Sequence, residues 1–183
     1  MRNVSSPILI FVVLVSSTFA DDLPPGVVNT QNPADVSLTP TESLNRLKVP
    51  KGFHATLFAA EPSIRRPIAF DFDDRGRLWV VENYSHPKWK KDGSSDRVII
   101  LEDTDGDGEF DKRKVFWDKG RYLTGIAFGH GGVWLANTPE LSFIPDRDGD
   151  DVPDSEPVAM LDGFQVSSNN VVNNLHWGPD GWL

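Results

Sequence analysis

Residues 72–80, FDDRGRLWV, place an aromatic residue, a tight turn at Gly76, and then a Trp and an aliphatic residue within one short segment. The same phrase returns at residues 128–135, FGHGGVWL, and at residues 177–183, WGPDGWL. The tryptophans of the three copies recur at intervals of 55 and 48 residues: Trp79, Trp134 and Trp182. A period of about 40 to 50 residues is typical of a β-propeller, in which each small blade packs between its neighbours.

The segments around this phrase predict short strands. Each is rich in β-branched or aromatic residues and is bounded by Gly, Asp or Pro, which are typical of strand ends. These segments are residues 54–59, 68–72, 78–81, 97–101, 125–128 and 133–136. No stretch after residue 50 carries the apolar period of an amphipathic helix. The sequence therefore predicts an all-β fold, either a propeller or a β-sandwich in which the Gly turns recur by coincidence.

The length of the folded region limits the number of blades. Propellers contain about four to eight blades, whereas residues 48–183 hold two to three units at the observed spacing. We therefore expect residues 48–183 to be a partial β-propeller, truncated at its C-terminus. In the full protein we expect about six blades, within the range that propellers adopt.

The N-terminal 47 residues predict export and a linker. A single basic residue, Arg2, precedes an apolar run over residues 8–15, and small residues follow as far as Ala20. This pattern predicts a cleaved signal peptide at residues 1–20 and a secreted or periplasmic location. The run is shorter than the about 20 residues that a membrane anchor needs. Residues 21–47 are rich in Pro and polar residues, which indicates a linker, with one short helical turn near its end.

Composition narrows the classes of partner. The formal net charge is −9, so the chain would repel the phosphates of a nucleic acid. It has no polybasic segment to attract an anionic membrane surface. It contains no Cys but six Trp and eleven Phe, so its stability must come from a packed core or from metal.

Two acidic segments have the pattern of cation-binding loops. Each places Asp at positions one, three, five and nine: Asp103, Asp105, Asp107 and Asp111 in the first, and Asp146, Asp148, Asp150 and Asp154 in the second. Such crowding is repulsive unless a cation lies among the carboxylates, and Ca²⁺ takes about six to eight oxygen ligands. Position six is Gly108 in the first loop and Asp151 in the second, and the second is the weaker match. Lys114 stands where an EF-hand has Glu, and solvated acidic turns are the alternative.

Polar residues near the ends of the repeated strands are the other candidates. Glu82 and Asn137 each lie three residues after a repeat Trp, while Asn173, Asn174 and His176 precede the third copy. In a propeller such strand ends converge on the axial face, so Glu82 and His176 are candidate catalytic residues and the three Asn residues candidate cofactor ligands. The alternatives are turn-forming Asn and a packed His. A central metal held by Glu and Asn, as in a lactonase-type propeller, is a further hypothesis.

Several motifs together resemble one family. They are residues 52–62, GFHATLFAAEP; residues 76–84, GRLWVVENY; residues 101–108, LEDTDGDG; and residues 177–182, WGPDGW. In these the chain resembles the membrane-bound dehydrogenase proteins of planctomycetes and verrucomicrobia, whose N-terminal propeller is similar to soluble quinoprotein glucose and sorbosone dehydrogenases. The resemblance implies a sugar (aldose) dehydrogenase that uses pyrroloquinoline quinone (PQQ), with a cytochrome c-type domain downstream.

The resemblance also implies a catalytic position. In the quinoprotein sugar dehydrogenases a His precedes the Gly-x-Asp-Gly turn by eight residues, and here that residue is Asn170. An Asn side chain cannot take the proton of a sugar hydroxyl as a general base. Two hypotheses follow: a calcium-binding, sugar dehydrogenase-like propeller, or a non-catalytic, calcium-stabilised propeller that binds carbohydrate or a partner protein.

Overall fold

The computed structural model describes residues 36–86, 95–166 and 171–183. Residues Leu38–Leu183 form one compact unit. The predicted signal peptide, residues 21–35 of the predicted linker and the candidate Asn170 lie outside the described residues.

The compact unit is built mainly from two four-stranded antiparallel sheets, so the all-β prediction is confirmed. In each sheet the spatial order of the strands is their order along the chain. The first sheet contains β1 (Pro67–Phe72), β2 (Leu78–Glu82), β3 (Asp96–Glu102) and β4 (Lys112–Gly120). The second contains β5 (Leu123–Phe128), β6 (Gly132–Asn137), β7 (Glu140–Pro145) and β8 (Val158–Leu161).

The sequence pattern identified five of these strands and missed three. The predicted segments at 68–72, 78–81, 97–101, 125–128 and 133–136 fall within β1, β2, β3, β5 and β6. The predicted strand at 54–59 is wrong, because this segment is irregular. Its Phe58 and Ala59 pack instead over Val80, Ile99 and Leu101 on one face of the first sheet. That packing explains the apolar, β-like composition of the segment.

The main apolar core lies between the two sheets. Trp79 on β2 is at its centre, where its ring meets Phe116 of β4 at 4.9 Å and Phe128 of β5 at 5.0 Å between centroids. The other buried members are Val81, Val98, Ile100, Trp117, Leu123, Ile126, Val133, Leu135 and Ile144. Burial of this much apolar surface is the main stabilising contribution to the contact between the sheets.

The same aromatic contact occurs a second time. Trp134 of β6 meets the ring of Trp177 at 5.9 Å in an edge-to-face arrangement. Trp177 is the first residue of the third copy of the repeated phrase, as Phe128 is of the second. Trp79 and Trp134 therefore each pack against the leading aromatic residue of the next copy.

The predicted equivalence of Trp182 with Trp79 is wrong by two residues. Gly178 N–H donates to the carbonyl of Trp182, as Asp73 N–H donates to the carbonyl of Arg77. Trp182 therefore stands at the position of Arg77, and 78% of its surface is exposed. The sequence pattern predicted the wrong equivalence because the third copy has an additional Trp directly after its turn.

The outer face of β1 is apolar and exposed. Ile68, Phe70 and Phe72 are each more than half exposed. The register places them at the positions that Thr124, Ile126 and Phe128 occupy in β5. The β5 face is covered by the first sheet, whereas no described residue covers the β1 face to the same extent.

One helix precedes the sheets, within the segment predicted as a linker. Helix α1 (Pro40–Arg46) begins with a capping box in which Thr39 and Glu42 bond each other's backbone N–H groups. Its residues are not buried, so capping rather than packing defines it. In the described ranges no helix combines the length and the apolar character that a membrane crossing requires.

Candidate metal loops and the neighbouring cavity

The two acidic segments occupy the same place in the two sheets. The first acidic loop, Asp103–Asp111, joins the third strand of the first sheet to the fourth, β3 to β4. The second acidic loop, Asp146–Asp154, joins the equivalent strands β7 and β8. Both loops therefore have the same anchors, one strand end on each side.

The two loops share one hydrogen-bond framework. At position nine, Asp111 N–H donates to the carbonyl of Glu102 and Asp154 N–H to that of Pro145, both at 2.8 Å. The position-nine carboxylates accept the N–H of position two, which is Thr104 at 2.6 Å in the first loop and Arg147 at 3.1 Å in the second. Such side-chain bonds to nearby backbone N–H groups fold a short loop without secondary structure.

Carboxylate oxygens converge in each loop. Oxygens of Asp103, Asp105 and Asp111 lie within 4.8 Å of one another, and so do oxygens of Asp146, Asp148 and Asp150. The structure thus brings together six of the eight predicted metal ligands in two groups. The other two, Asp107 and Asp154, accept the N–H groups of Glu109 and Arg147.

Two carboxylates of the first loop, Asp103 and Asp111, are stabilised in the charged form. Backbone N–H bonds from Gly108 and Gly106 lower the pKa of Asp103. The N–H and hydroxyl of Thr104 lower the pKa of Asp111. These bonds favour ionised carboxylates, which is the state that a cation requires.

Asp146 of the second loop is in a different state. Burial raises its pKa, and so do the nearby carboxylates of Asp151, Asp150 and Asp148. Its Oδ1 is buried and has no hydrogen-bond partner among the described residues. A buried carboxylate oxygen without a partner is costly unless a cation or a proton neutralises it.

Position six differs between the loops in sequence but not in conformation. Gly108 has φ +90° and Asp151 has φ +65°, so both adopt the left-handed conformation. Glycine reaches this region without steric cost, whereas Asp reaches it less often. The Asp151 carboxylate accepts hydrogen bonds from Arg77 Nη1 at 2.7 Å and Nη2 at 2.6 Å. The Asp at position six makes the second loop the weaker match to a calcium-binding loop, and its contact with Arg77 of the first sheet explains why it is there.

Arg77 and Asp73 extend this contact into the first sheet. The Asp73 carboxylate accepts Arg77 Nε at 2.8 Å and Trp79 Nε1 at 3.0 Å. Arg75 adds bonds to the carbonyl of Gly149 and to Asp151, both at 3.0 Å. The hydrogen bonds of Asp151 and Asp73 raise the pKa of the Arg77 guanidinium further above its already high value.

Glu82, a predicted catalytic residue, is engaged in a structural cluster. Its side chain is fully buried and forms ion pairs with Arg97 at 2.8 Å and Arg113 at 3.5 Å. It also accepts the N–H of Arg65 at 2.7 Å and the hydroxyl of Tyr84 at 3.2 Å. These bonds tie β2, β3 and β4 to the segment before β1.

Asn137, a predicted cofactor ligand, also bonds to its own surroundings. Its Oδ1 accepts the N–H of Arg121 at 2.8 Å, and its Nδ2 donates to the hydroxyl of Ser142 at 3.3 Å. Neither Asn137 nor Glu82 lines the large cavity described next. The structure therefore does not bring these two residues together with Asn173, Asn174 and His176.

A cavity of about 640 Å³ lies beside β1, β5 and residues 171–176. Its wall includes the predicted residues Asn173, Asn174 and His176, all of them exposed. Polar residues that the sequence pattern did not single out also line it: Asp71, Asn83, His86 and Thr124. Asp71 and Asn83 lie on either side of the repeated phrase at residues 72–80, and that position is the sequence feature that could have identified them. The rest of the wall is largely apolar, with Phe70, Phe72 and Tyr122 among its residues.

Comparison with known proteins gives one family. Residues 39–183 match the model of a family described as Domain of unknown function (DUF7133). No curated protein matches the chain. No solved structure matches it either.

Proposed function

We propose that this chain, which belongs to the DUF7133 family, forms consecutive blades of an exported, calcium-binding β-propeller. Two four-stranded sheets follow one another along the chain, each with its strands in sequential order. The edge-to-face contact of Trp79 with Phe128 is repeated in the next unit by Trp134 and Trp177. A unit that packs onto the next one in the same way is the physical basis of a propeller, and we propose about six such units in the full protein.

The observation that carries the calcium proposal is the convergence of carboxylates at the same place in both sheets. Three carboxylate oxygens within 4.8 Å repel one another, and a cation of hard-oxygen preference removes that cost. The buried Oδ1 of Asp146 is an oxygen donor that lacks a partner among the described residues, and it fits the same role. Asp103, Asp105 and Asp111 would hold one ion, and Asp146, Asp148 and Asp150 the other. Bound Ca²⁺ would supply positive charge that holds each loop closed.

Calcium should raise the melting temperature of the protein, because an ion that binds only the native state stabilises it by mass action. At about one hundred times the dissociation constant, the stabilisation is about 2.7 kcal/mol per site. Asp105→Ala with Asp107→Ala should remove the contribution of the first loop, and Asp148→Ala with Asp150→Ala that of the second. Asp118→Ala, an exposed acid on β4, is the matched control. A wild-type melting curve that calcium leaves unmoved would show that both loops are acidic turns.

The second candidate function is sugar oxidation at the cavity beside β1 and β5. His176 lies in its wall with Asn173 and Asn174, so a general base and amide hydrogen-bonding groups face one space. The resemblance to quinoprotein sugar dehydrogenases favours a carbohydrate substrate, PQQ as cofactor and a cytochrome c-type domain downstream. PQQ is a tricarboxylate, and the described wall contains no Lys or Arg to neutralise it. The described residues of this wall therefore do not fit the quinone.

A dye-reduction assay on the full-length protein with added PQQ and aldoses tests this candidate. Oxidation by the wild type that His176→Ala lowers by about two to four orders of magnitude would assign the base, since that is the usual contribution of general base catalysis. His54→Ala, an exposed His outside the cavity, should retain activity. Calorimetric binding of a sugar without any oxidation would favour the non-catalytic propeller instead.

A further inference from the structure

We infer that the second acidic loop is a calcium-dependent connection between the two sheets, with Asp151 as the residue that links the ion site to the first sheet. This inference rests on the calcium binding proposed above. It adds that the two loops act differently: occupancy of the second loop strengthens the contact of the first and second sheets, and occupancy of the first loop does not.

A continuous chain of bonds leads from the loop to the core. Asp151 stands at position six of the second acidic loop, directly after the candidate ligand Asp150. The side chain of Asp151 binds Arg77 of β2's leading turn through two guanidinium nitrogens. Arg77 binds Asp73, and Asp73 accepts the indole N–H of Trp79, which packs against Phe128. Asp151 thus joins the loop that carries the candidate ligands to the turn before β2.

The ion site and the first sheet also share a cavity. Asp146 and Asp148 line a space of about 390 Å³ whose opposite wall includes Asp73 and Asp74. Arg75 crosses its edge to the carbonyl of Gly149. Any ordering of residues 146–150 by a cation therefore acts on groups that already contact the turn of the first sheet.

The first loop lacks the linking side chain. Its position six is Gly108, which lies next to Thr56, and its Phe110 N–H bonds to the carbonyl of Phe58. These contacts fasten the irregular segment before β1 and not the second sheet. The comparison of two loops with one framework provides an internal control for the role of Asp151.

Linkage requires the effect to be reciprocal. If calcium strengthens the bond of Asp151 with Arg77 by some factor, that bond strengthens calcium binding by the same factor. Such couplings are commonly about 5-fold to 150-fold. Hydrogen exchange of the turn at residues 73–77 reports the sheet contact, while calorimetry reports calcium binding independently.

The experiment uses the full-length protein with the first loop disabled by Asp105→Ala and Asp107→Ala. We expect one remaining calcium site by calorimetry, and slowing of amide exchange at residues 73–77 by about fivefold or more on calcium addition. Asp151→Asn removes the charge, and Asn tolerates the left-handed backbone. This variant should still bind calcium, at least about fivefold more weakly, and calcium should no longer slow exchange at 73–77. Arg77→Lys, which changes the partner of Asp151, should likewise abolish the effect of calcium on amide exchange at residues 73–77.

Lys119→Gln is the matched control. Lys119 also joins β4 to the segment after the second loop, through an exposed ion pair with Glu156 at 2.6 Å. This control should keep the effect of calcium on exchange at 73–77. Calcium binding to the second loop with unchanged exchange at 73–77 would overturn the connection while leaving calcium binding intact. Absence of any calcium binding would overturn both proposals.

Discussion

The turn before β2 allows a quantitative test through Asp73. The Asp73 side chain is 8% exposed and accepts four hydrogen bonds. The donors are the backbone N–H groups of Arg75 and Arg77, Arg77 Nε and Trp79 Nε1. Asp73→Ala leaves these donors without their acceptor and deprives the buried guanidinium of Arg77 of one of its two carboxylates. Breaking a buried ion pair by removing one partner costs about 3–5 kcal/mol, and we expect a loss in this range.

Asp74, the next residue in the same turn, is the matched control. Its side chain is exposed, so Asp74→Ala should change the free energy of unfolding by less than about 0.5 kcal/mol. Urea denaturation followed by tryptophan fluorescence measures both variants at pH 7. A cost for Asp73→Ala as small as that for Asp74→Ala would refute the assignment of Asp73 as the acceptor that organises this turn.

The pH dependence provides a second check on Asp73. Burial acts to raise its pKa, but the hydrogen bonds from Trp79 and Arg77 and the charge of Arg77 outweigh burial, so the pKa is lowered. A carboxyl whose folded pKa lies below its unfolded value of about 3.9 stabilises the fold above that pH. This stabilisation disappears as the pH falls through the folded pKa. The gap between wild type and Asp73→Ala should therefore narrow below about pH 4; an unchanged gap at pH 3 would contradict the charge-based explanation.

Three further predictions follow from the core, the buried cluster and the N-terminus. Trp79→Ala should cost about 3–5 kcal/mol in urea denaturation, whereas exposed Trp182→Ala should cost less than about 0.5 kcal/mol; equal costs would contradict the placement of the two rings. Glu82→Gln should destabilise by about 3 kcal/mol or more, because two Arg side chains lose their buried counter-charge; a neutral result would mean that solvent compensates them. N-terminal sequencing of the exported protein should begin at Asp21, and a retained Met1 on cytoplasmic protein would contradict the signal peptide.

Two of the predicted strands have a composition that matches their burial. β2 and β3 are buried along almost their full length and consist mainly of β-branched and aliphatic residues. β4 and β8 are edge strands in which most residues are exposed, and the sequence of β4, KRKVFWDKG, is mostly charged apart from the buried Phe116 and Trp117. An edge strand needs few apolar residues, because its pairing with one neighbour defines it. Propensity alone could not locate it.

Features of the candidate site that are local in sequence could be predicted, whereas those that join distant residues could not. The acidic loops could be predicted because their chemistry is local: alternate Asp residues bond to N–H groups two to five positions away. The link between Asp151 and Arg77 could not, because the two residues are 74 positions apart in sequence. Glu82 was proposed as catalytic from its place at a strand end, but its two Arg partners come from other strands. Such long-range pairs depend on the packing of the sheets, which periodicity does not encode.

The uncovered face of β1 has a consequence for how such sheets can assemble. The contact of Trp79 with Phe128 joins two unlike surfaces, as a head-to-tail interface does. An interface of this kind gives a closed ring if successive rotations sum to a full turn, and an open-ended array if they do not. In an open array, one terminal sheet would always present Ile68, Phe70 and Phe72 to solvent. Only in a closed ring does every such face pack against a tryptophan of the preceding sheet. Ring closure is therefore also what keeps this apolar face out of solvent.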